Sequence, residues 1–211
     1  MQPAETTLYS LSRSPPQDQA DRREDDRLMT LYRVGSLSIG ERRELCLIKN
    51  ISAGGMMVRA YCVIPEGTRL SVELKCGHPI SGAVSWTRDV HVGIAFDDPI
   101  DVIDILSASS SGKRPRMPRM EVTRSINVRE GAITYRMQLC DISQGGLKVQ
   151  SDTCLPAGSD VVVTLGGVEP QPGVVRWSGD SHMGITFNRM LALPALVDWL
   201  HEQQKAGGPP A

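Results

Sequence analysis

The sequence predicts an all-β protein built from two copies of a small antiparallel β-barrel, each followed by a short helix. The chain repeats itself, because residues 50–55, NISAGG, recur as residues 141–146, DISQGG, and the offset of 91 continues without a gap to Phe96 and Phe187. Short apolar or alternating runs between turn residues are typical of strands. Their close, regular spacing without intervening helices favours a closed or nearly closed barrel.

Three strands of each copy follow directly from this pattern. In the first copy they cover residues 72–74, 82–86 and 92–96, and in the second copy they lie 91 residues later. Proline and glycine two residues apart, at Pro65 and Gly67, precede these strands and predict a turn.

After the last strand of each copy, the apolar residues change to helical spacing. Residues 99–106 show it weakly, and residues 190–205 show it clearly, with one apolar stripe that we expect to pack on the core. The predicted organisation is an arm at 1–21, a first domain at 22–107, a linker at 108–112, a second domain at 113–205 and a flexible tail at 206–211. The arm is rich in Ser, Pro, Gln and Asp and is therefore predicted to be disordered.

Composition excludes several classes of protein. The 211 residues are 40% hydrophobic and 22% charged, and the net charge is −1, so a general DNA- or RNA-binding protein is not expected. No stretch approaches the roughly 20 consecutive apolar residues that span a bilayer, so membrane insertion is not expected. The N-terminus lacks the basic head and apolar core of a secretory signal, and we expect the protein in the cytoplasm.

The cysteines predict neither disulfides nor a metal site. They are odd in number, widely spaced and without a CxxC pair, and we expect buried free thiols at Cys46, Cys62, Cys76, Cys140 and Cys154.

No catalytic constellation is present, so the sequence does not predict an enzyme. His91 and His182 follow Asp89 and Asp180 by two residues, a spacing that would place each pair on one face of a strand. A metal or acid/base site needs a third group, and we expect these histidines to be structural.

The repeated NISAGG/DISQGG segment is the first candidate for binding chemistry. Asn50 with Ser52, and Asp141 with Ser143, share a strand face and present two short polar groups side by side. The following glycines permit close backbone approach. A simple Asx or Ser turn that closes a hairpin is the alternative interpretation.

Arginines ahead of the first copy favour a ligand. Arg23 and Arg27 are four residues apart, with Arg22 adjacent. Guanidinium groups bind phosphate bidentately and pair with O6 and N7 of guanine, and the side-chain oxygen of Asn50 is an acceptor for the base N–H groups. Together these residues predict a site for a guanine nucleotide.

With these motifs in place, both copies resemble PilZ domains, over about residues 22–107 and 113–204. The family pattern is RxxxR, then [D/N]xSxxG, then GxVxW and GIxF strands. The first copy matches it at Arg23 to Arg27, Asn50 to Gly55, Gly82 to Trp86 and Gly93 to Phe96. The second copy matches it at Asp141 to Gly146, Gly173 to Trp177 and Gly184 to Phe187.

The resemblance implies two tandem six-stranded antiparallel barrels that act as a bacterial receptor for cyclic di-GMP, often bound as an intercalated pair, with no cofactor. It implies ligand-binding residues Arg22, Arg23, Arg27, Asn50, Ser52 and Gly55 in the first domain, and Arg114, Arg116, Arg119, Asp141, Ser143 and Gly146 in the second. It further implies a ligand-dependent change of inter-domain arrangement that controls motility, biofilm or exopolysaccharide processes through a protein partner of the motility or envelope machinery.

The two copies depart from the pattern in different ways. In the second copy no two arginines of residues 113–119 are four apart, and if Arg119 is the second arginine of the motif, Pro115 occupies the first position. We therefore expect the first copy to be the main site, although three acidic residues lie between its arginines. The alternative is a degenerate scaffold that binds no nucleotide and acts by protein–protein contact.

Overall fold

The computed structural model describes residues 29–74, 79–107 and 117–206, and these form two closed β-barrels in tandem. Barrel one consists of β1 (Met29–Ile39), β2 (Arg42–Ile51), β3 (Gly55–Arg59), β4 (Arg69–Glu73), β5 (Pro79–Arg88) and β6 (His91–Phe96). Its strands pair antiparallel in the order β1-β2-β3-β6-β5-β4.

Barrel two repeats this topology. It consists of β7 (Met120–Glu130), β8 (Ile133–Ser143), β9 (Gly146–Gln150), β10 (Asp160–Thr164), β11 (Gln171–Gly179) and β12 (His182–Phe187). Helix α1 (Val102–Ser107) follows barrel one and helix α2 (Leu193–Ala206) follows barrel two. The predicted fold class, two tandem six-stranded antiparallel barrels each followed by a helix, is confirmed.

Alternating strand residues build the core of each barrel. Successive side chains point to opposite faces of a strand, so one set fills the interior while the other lies on the outer surface. In β4, Leu70 and Val72 are buried, and in β10, Val161 and Val163 are buried. Each such side chain contributes about 1.5–3 kcal/mol when it leaves water.

The repeated glycine–tryptophan pattern has a packing cause. The Trp86 indole lies against Gly93 on the neighbouring strand, and a Cβ at Gly93 would lie 2.0 Å from Trp86 Nε1. Trp177 and Gly184 repeat this contact with the same 2.0 Å separation. Only glycine leaves room for the ring, which explains why GxVxW and GIxF occur together in both copies.

The aspartates before the two histidines are not on a strand, which corrects the expectation of a shared strand face. Asp89 and Asp180 lie in the two-residue turns between β5 and β6 and between β11 and β12, with φ of 53° and 50°. His182 Nδ1 lies 2.7 Å from the carbonyl oxygen of Asp180. Aspartate tolerates the left-handed conformation that such hairpin turns require, so these residues shape turns.

Both helices begin later than the periodicity predicts. The segment before α1 is held by a hydrogen bond from the Ile100 N–H to the Ala53 carbonyl, 2.9 Å, and the segment before α2 by one from Leu191 to Gln144, 2.8 Å. These bonds tie the chain to the turns after β2 and β8, so it turns into a helix only afterwards. Neither described helix has the length and apolarity needed to cross a bilayer.

The apolar stripe of α2 is buried, as predicted. The buried residues of the helix are Leu193, Leu196, Val197, Trp199 and Leu200.

The two barrels contact each other along a surface that we call the inter-barrel seam. Barrel one contributes Val34, Leu45, Leu47 and Tyr61, which pack against the apolar core of barrel two, and Leu45 is only 2% exposed.

A buried carboxylate adds polar contacts across this seam. Glu44, on β2, is 5% exposed, and its Oε2 lies 3.0 Å from Nε2 of His201 on α2. The second carboxylate oxygen accepts a hydrogen bond from Arg42 at 3.1 Å. The buried oxygens of Glu44 are therefore partnered, as a charge removed from water requires.

The thiols are free but not uniformly buried. Cys46 is fully buried, which raises the pKa of its thiol from 9.0 to about 12, whereas Cys154 is exposed, contrary to the expectation of buried thiols throughout. Burial and then the neighbouring Glu44 raise the pKa of Cys62. Cys76 lies outside the described residues.

Candidate functional site

A row of four residues crosses the outer face of barrel two. The strand register places Asp141 of β8 opposite Lys148 of β9, Lys148 opposite Gly184 of β12, and Gly184 opposite Trp177 of β11. Because directly paired residues of neighbouring strands lie on the same face, the row is one continuous surface. It begins with the DxSxxG aspartate and ends with the GxVxW tryptophan.

Arg119 joins this row from the segment that leads into β7. Its guanidinium forms an ion pair with the Asp141 carboxylate. The resemblance predicts that Arg119 and Asp141 belong to one ligand site, and in the structure these two side chains contact each other directly. Arg119 remains 45% exposed, so part of its guanidinium faces solvent.

Ser143 has a different environment from that expected of a ligand-facing hydroxyl. It is 4% exposed, and its Oγ donates to the Gly146 carbonyl at 3.1 Å. Ser52 makes the same bond to Gly55 at 3.2 Å in barrel one. Both serines therefore close the turn that positions the aspartate or asparagine two residues earlier.

A cavity of about 450 Å³ lies over the row in barrel two. Its lining comprises Met117, Arg119, Asp141, Ser143, Gly145, Leu147, Lys148, Arg176, Trp177, Gly184, Ile185 and Thr186. Three of these side chains are cationic and one is a carboxylate, so the cavity carries a net positive charge suited to an anionic ligand. Its volume lies within the usual range for small-molecule sites, roughly 300–1,000 Å³.

The equivalent row of barrel one has no charged member. It runs through Asn50, Met57, Gly93 and Trp86 in the same register. The Asn50 side-chain oxygen accepts a hydrogen bond from the Met57 N–H at 3.1 Å, so this acceptor is already used by the backbone. The local backbone matches that of barrel two, but the chemistry on it is different.

Several predicted arginines lie outside the described residues, namely Arg22, Arg23, Arg27, Arg114 and Arg116. Their contribution stays a prediction. Of the predicted residues within the described part of the chain, Arg119, Asp141 and Ser143 line the barrel-two cavity.

Sequence reasoning missed two cationic residues of the cavity, Lys148 and Arg176. A search for repeats highlights positions that match, whereas these positions differ, since Met57 and Ser85 stand 91 residues earlier. Lys148 and Arg176 can be identified in the sequence as charges that appear in only one copy, on strands that the motif places beside the site.

Among the described residues, no cluster of three or more His, Cys, Asp or Glu side chains offers a metal site.

Comparison with known protein families agrees with the tandem arrangement of the two barrels. The PilZ domain family matches the chain twice, over residues 21–108 and 113–198. The chain belongs to the PilZ domain family. No curated protein matches the chain. Its two PilZ domains are the two barrels, and the DxSxxG and NxSxxG segments lie at equivalent turns of each.

Comparison with solved structures matches the chain to proteins of three bacteria, among others. PlzA of Borreliella burgdorferi, solved in complex with c-di-GMP, is 13% identical over 81% of this chain and 88% of its own, with a TM-score of 0.39. The inhibitor of motility MotI/DgrA of Bacillus subtilis is 13% identical over 85% and 99%, with a TM-score of 0.33. YcgR of Escherichia coli, in complex with c-di-GMP, is 13% identical over 83% and 82%, with a TM-score of 0.30.

Proposed function

We propose that this protein is a receptor for cyclic di-GMP and that the cavity of barrel two is a binding site. The observation that carries the proposal is the Arg119–Asp141 ion pair at the edge of a positively charged cavity, in a chain of the PilZ domain family. Cyclic di-GMP carries two phosphodiester charges and two guanine bases, so it needs cations, an acceptor for base N–H groups and a flat apolar surface.

The residues of the cavity meet these needs one by one. The Asp141 carboxylate accepts hydrogen bonds from the N–H groups on the guanine edge, and a charged acceptor makes such bonds stronger than a neutral amide does. The Arg119 guanidinium has donors to spare for a phosphate while it holds Asp141 in place. Trp177 is 46% exposed, and an exposed indole offers a face on which a base stacks.

The position of the remaining arginines supports a change of inter-domain arrangement on binding. Arg114 and Arg116 belong to the segment between α1 and β7, which is the covalent connection between the barrels. A ligand held both by these arginines and by the barrel-two cavity fixes the connection against barrel two. Ordering costs about 1–2 kcal/mol per residue, and the charged contacts must exceed it.

The barrel-one residues Arg22, Arg23, Arg27, Asn50, Ser52 and Gly55 form a second proposed site, supported by the motif match. As a receptor, the protein would act in the cytoplasm on motility, biofilm or exopolysaccharide processes through a protein partner. Binding of the ligand as an intercalated pair belongs to the same proposal.

Isothermal titration of the full-length chain with cyclic di-GMP tests the proposal. We expect Asp141→Ala to weaken binding about 10- to 100-fold, because a charge-assisted bond contributes about 1.5–3 kcal/mol. Asn50→Ala is the matched control in barrel one. A change in the number of ligand molecules bound per chain in this variant would reveal a site in barrel one. Wild-type chain that releases no heat, or binding unaffected by both Asp141→Ala and Arg119→Ala, would refute the barrel-two site.

A second candidate function, a scaffold that binds no nucleotide, is favoured for barrel one by its uncharged row. In that case barrel one contributes surfaces for protein contact rather than a ligand site. Thermal unfolding at high cyclic di-GMP concentration tests this candidate. If the ligand stabilises the wild-type chain but not the Asp141→Ala chain, barrel one does not bind the nucleotide and the scaffold function is supported for it.

A further inference from the structure

We infer that Lys148 and Arg176 are phosphate-binding residues of barrel two, outside the RxxxR and DxSxxG motifs, and that they give barrel two tighter binding than barrel one. The inference rests on the proposed function and names two further binding groups for it. Four features support it: position, backbone geometry, the comparison with the other barrel and the charge of the ligand.

Lys148 occupies the centre of the row. Its strand neighbours Leu147 and Val149 are both fully buried, so Lys148 lies on the outer face between Asp141 and Gly184. Gly184 has no side chain, and the Trp177 indole packs over it, so Lys148 lies between Asp141 and the residue that carries this ring. Lys148 lines the same cavity as the Arg119–Asp141 pair.

Arg176 reaches the cavity because of a β-bulge. The pairing of β11 with β12 shifts between Val175 and Trp177, so Arg176 is the extra residue of the bulge. Bulges re-aim side chains and are frequent beside binding sites. Barrel one has the same bulge between Val84 and Trp86, but there Ser85 donates its hydroxyl to the Gly93 carbonyl at 3.1 Å.

Neither cation has a role in folding that the structure reveals. Within residues 29–74, 79–107 and 117–206, neither Lys148 nor Arg176 forms an ion pair. Barrel one builds the same strands and the same bulge with Met57 and Ser85 at these positions, so the fold does not require charge there. Surface cations are commonly only solvated, but two that line one cavity and repel each other are stabilised by an anion between them.

The number of charges fits the ligand. Arg119 is already paired with Asp141, so Lys148 and Arg176 are the two uncompensated cations of the cavity. Cyclic di-GMP carries two negative charges, one on each phosphodiester. Each of the two cations therefore has one phosphodiester of a cyclic di-GMP molecule to bind, in addition to the donors that Arg119 offers while it is paired with Asp141.

The test replaces each cation with its barrel-one equivalent in the full-length chain. We expect Lys148→Met and Arg176→Ser each to weaken binding of cyclic di-GMP at barrel two about tenfold in isothermal titration. The loss should be larger at about 0.05 M salt than at about 0.3 M, because salt screens exposed charges. Arg136→Met is the matched control, since it removes one exposed cation of barrel two that does not line the cavity.

The outcomes separate this inference from the proposed function. If the wild-type chain binds and both cavity variants bind as Arg136→Met does, the inference is wrong and the receptor function stands. If the wild-type chain does not bind cyclic di-GMP, the proposed function fails and this inference fails with it. Thermal unfolding followed by circular dichroism checks that the variants fold, as expected from residues that barrel one already accommodates.

Discussion

The two barrels share a backbone but differ in which part of the outer surface is specialised. Barrel two has Lys148 and Arg176 in the lining of its outer cavity, where barrel one has Met57 and Ser85 at the equivalent positions. Barrel one has an apolar seam surface, and its residues Val34, Leu45, Leu47 and Tyr61 correspond 91 positions later to Ser125, Arg136, Gln138 and Asp152. One copy carries charge around its outer cavity, and the other carries apolar surface that packs against its neighbour.

This difference shows that the barrel and its chemistry are separable. The serine that closes the turn, the glycine beneath the indole and the bulge after the valine occur in both copies. The charges and the apolar contact surface occur in one copy each. The motif residues Ser52 and Ser143 close the same turn in both copies, whereas the proposed difference in binding depends on residues that differ between the copies.

The largest expected effect concerns the seam. Leu45→Ala leaves a cavity beneath barrel two, and we expect the free energy of unfolding to fall by about 2–5 kcal/mol, the range for buried leucines. Arg136→Ala, at the equivalent exposed position of barrel two, should change it by less than about 0.5 kcal/mol. Urea unfolding of the full-length chain measures both. Equal effects of the two substitutions would show that the seam does not stabilise the protein.

The next effect concerns the glycine beneath each indole. Gly93→Ala and Gly184→Ala place a Cβ 2.0 Å from the tryptophan ring, so the ring must move, and we expect each to cost about 1–3 kcal/mol of stability. The binding effects should differ, because only Trp177 lines the charged cavity. Urea unfolding and titration with cyclic di-GMP measure the two quantities. Loss of binding in Gly93→Ala alone would place the working site in barrel one.

A transplant of charge sharpens the comparison further. In an Asp141→Ala background, in which barrel two is weakened, Met57→Lys with Ser85→Arg should strengthen binding at barrel one about tenfold. Met57→Gln with Ser85→Asn is the neutral control and should leave the affinity unchanged. Isothermal titration measures both chains. If Met57→Lys with Ser85→Arg does not raise the affinity for cyclic di-GMP, phosphate contacts from these two cations are not sufficient for tighter binding.

The sequence predicted the barrels well because their signals are local. Alternation over residues 82–86 and 92–96 directly reflects the burial of Val84, Val92 and Ile94. The motif assigned Arg119 and Asp141 to one candidate site, but it did not predict the ion pair between them. These features depend on short segments or on a pattern that occurs twice.

The seam and the extra cations were missed because they depend on differences between the copies. The run Leu45-Cys46-Leu47-Ile48 is apolar at every position, which is typical of a strand buried on both faces, and its barrel-two equivalent alternates. That contrast is a usable signal for the seam. The late start of each helix could not be predicted, because the bonds from Ile100 to Ala53 and from Leu191 to Gln144 join segments far apart in sequence.

The smallest expected effect is a pH dependence of stability that arises in the interior of barrel one. Cys46 lies in barrel one where barrel two has Met137, and burial raises the pKa of its thiol from 9.0 to about 12. Between these values the unfolded chain loses the proton and the folded chain keeps it, so stability is fully present below pH 9 and falls as pH rises. We expect Cys46 to cost about 1 kcal/mol of stability at pH 10. Urea unfolding at a series of pH values gives the free energy of unfolding of the wild-type and Cys46→Ala chains. The difference between their pH dependences isolates the Cys46 contribution from other groups that titrate in this range. Parallel pH dependences would show that the Cys46 thiol is not buried in solution.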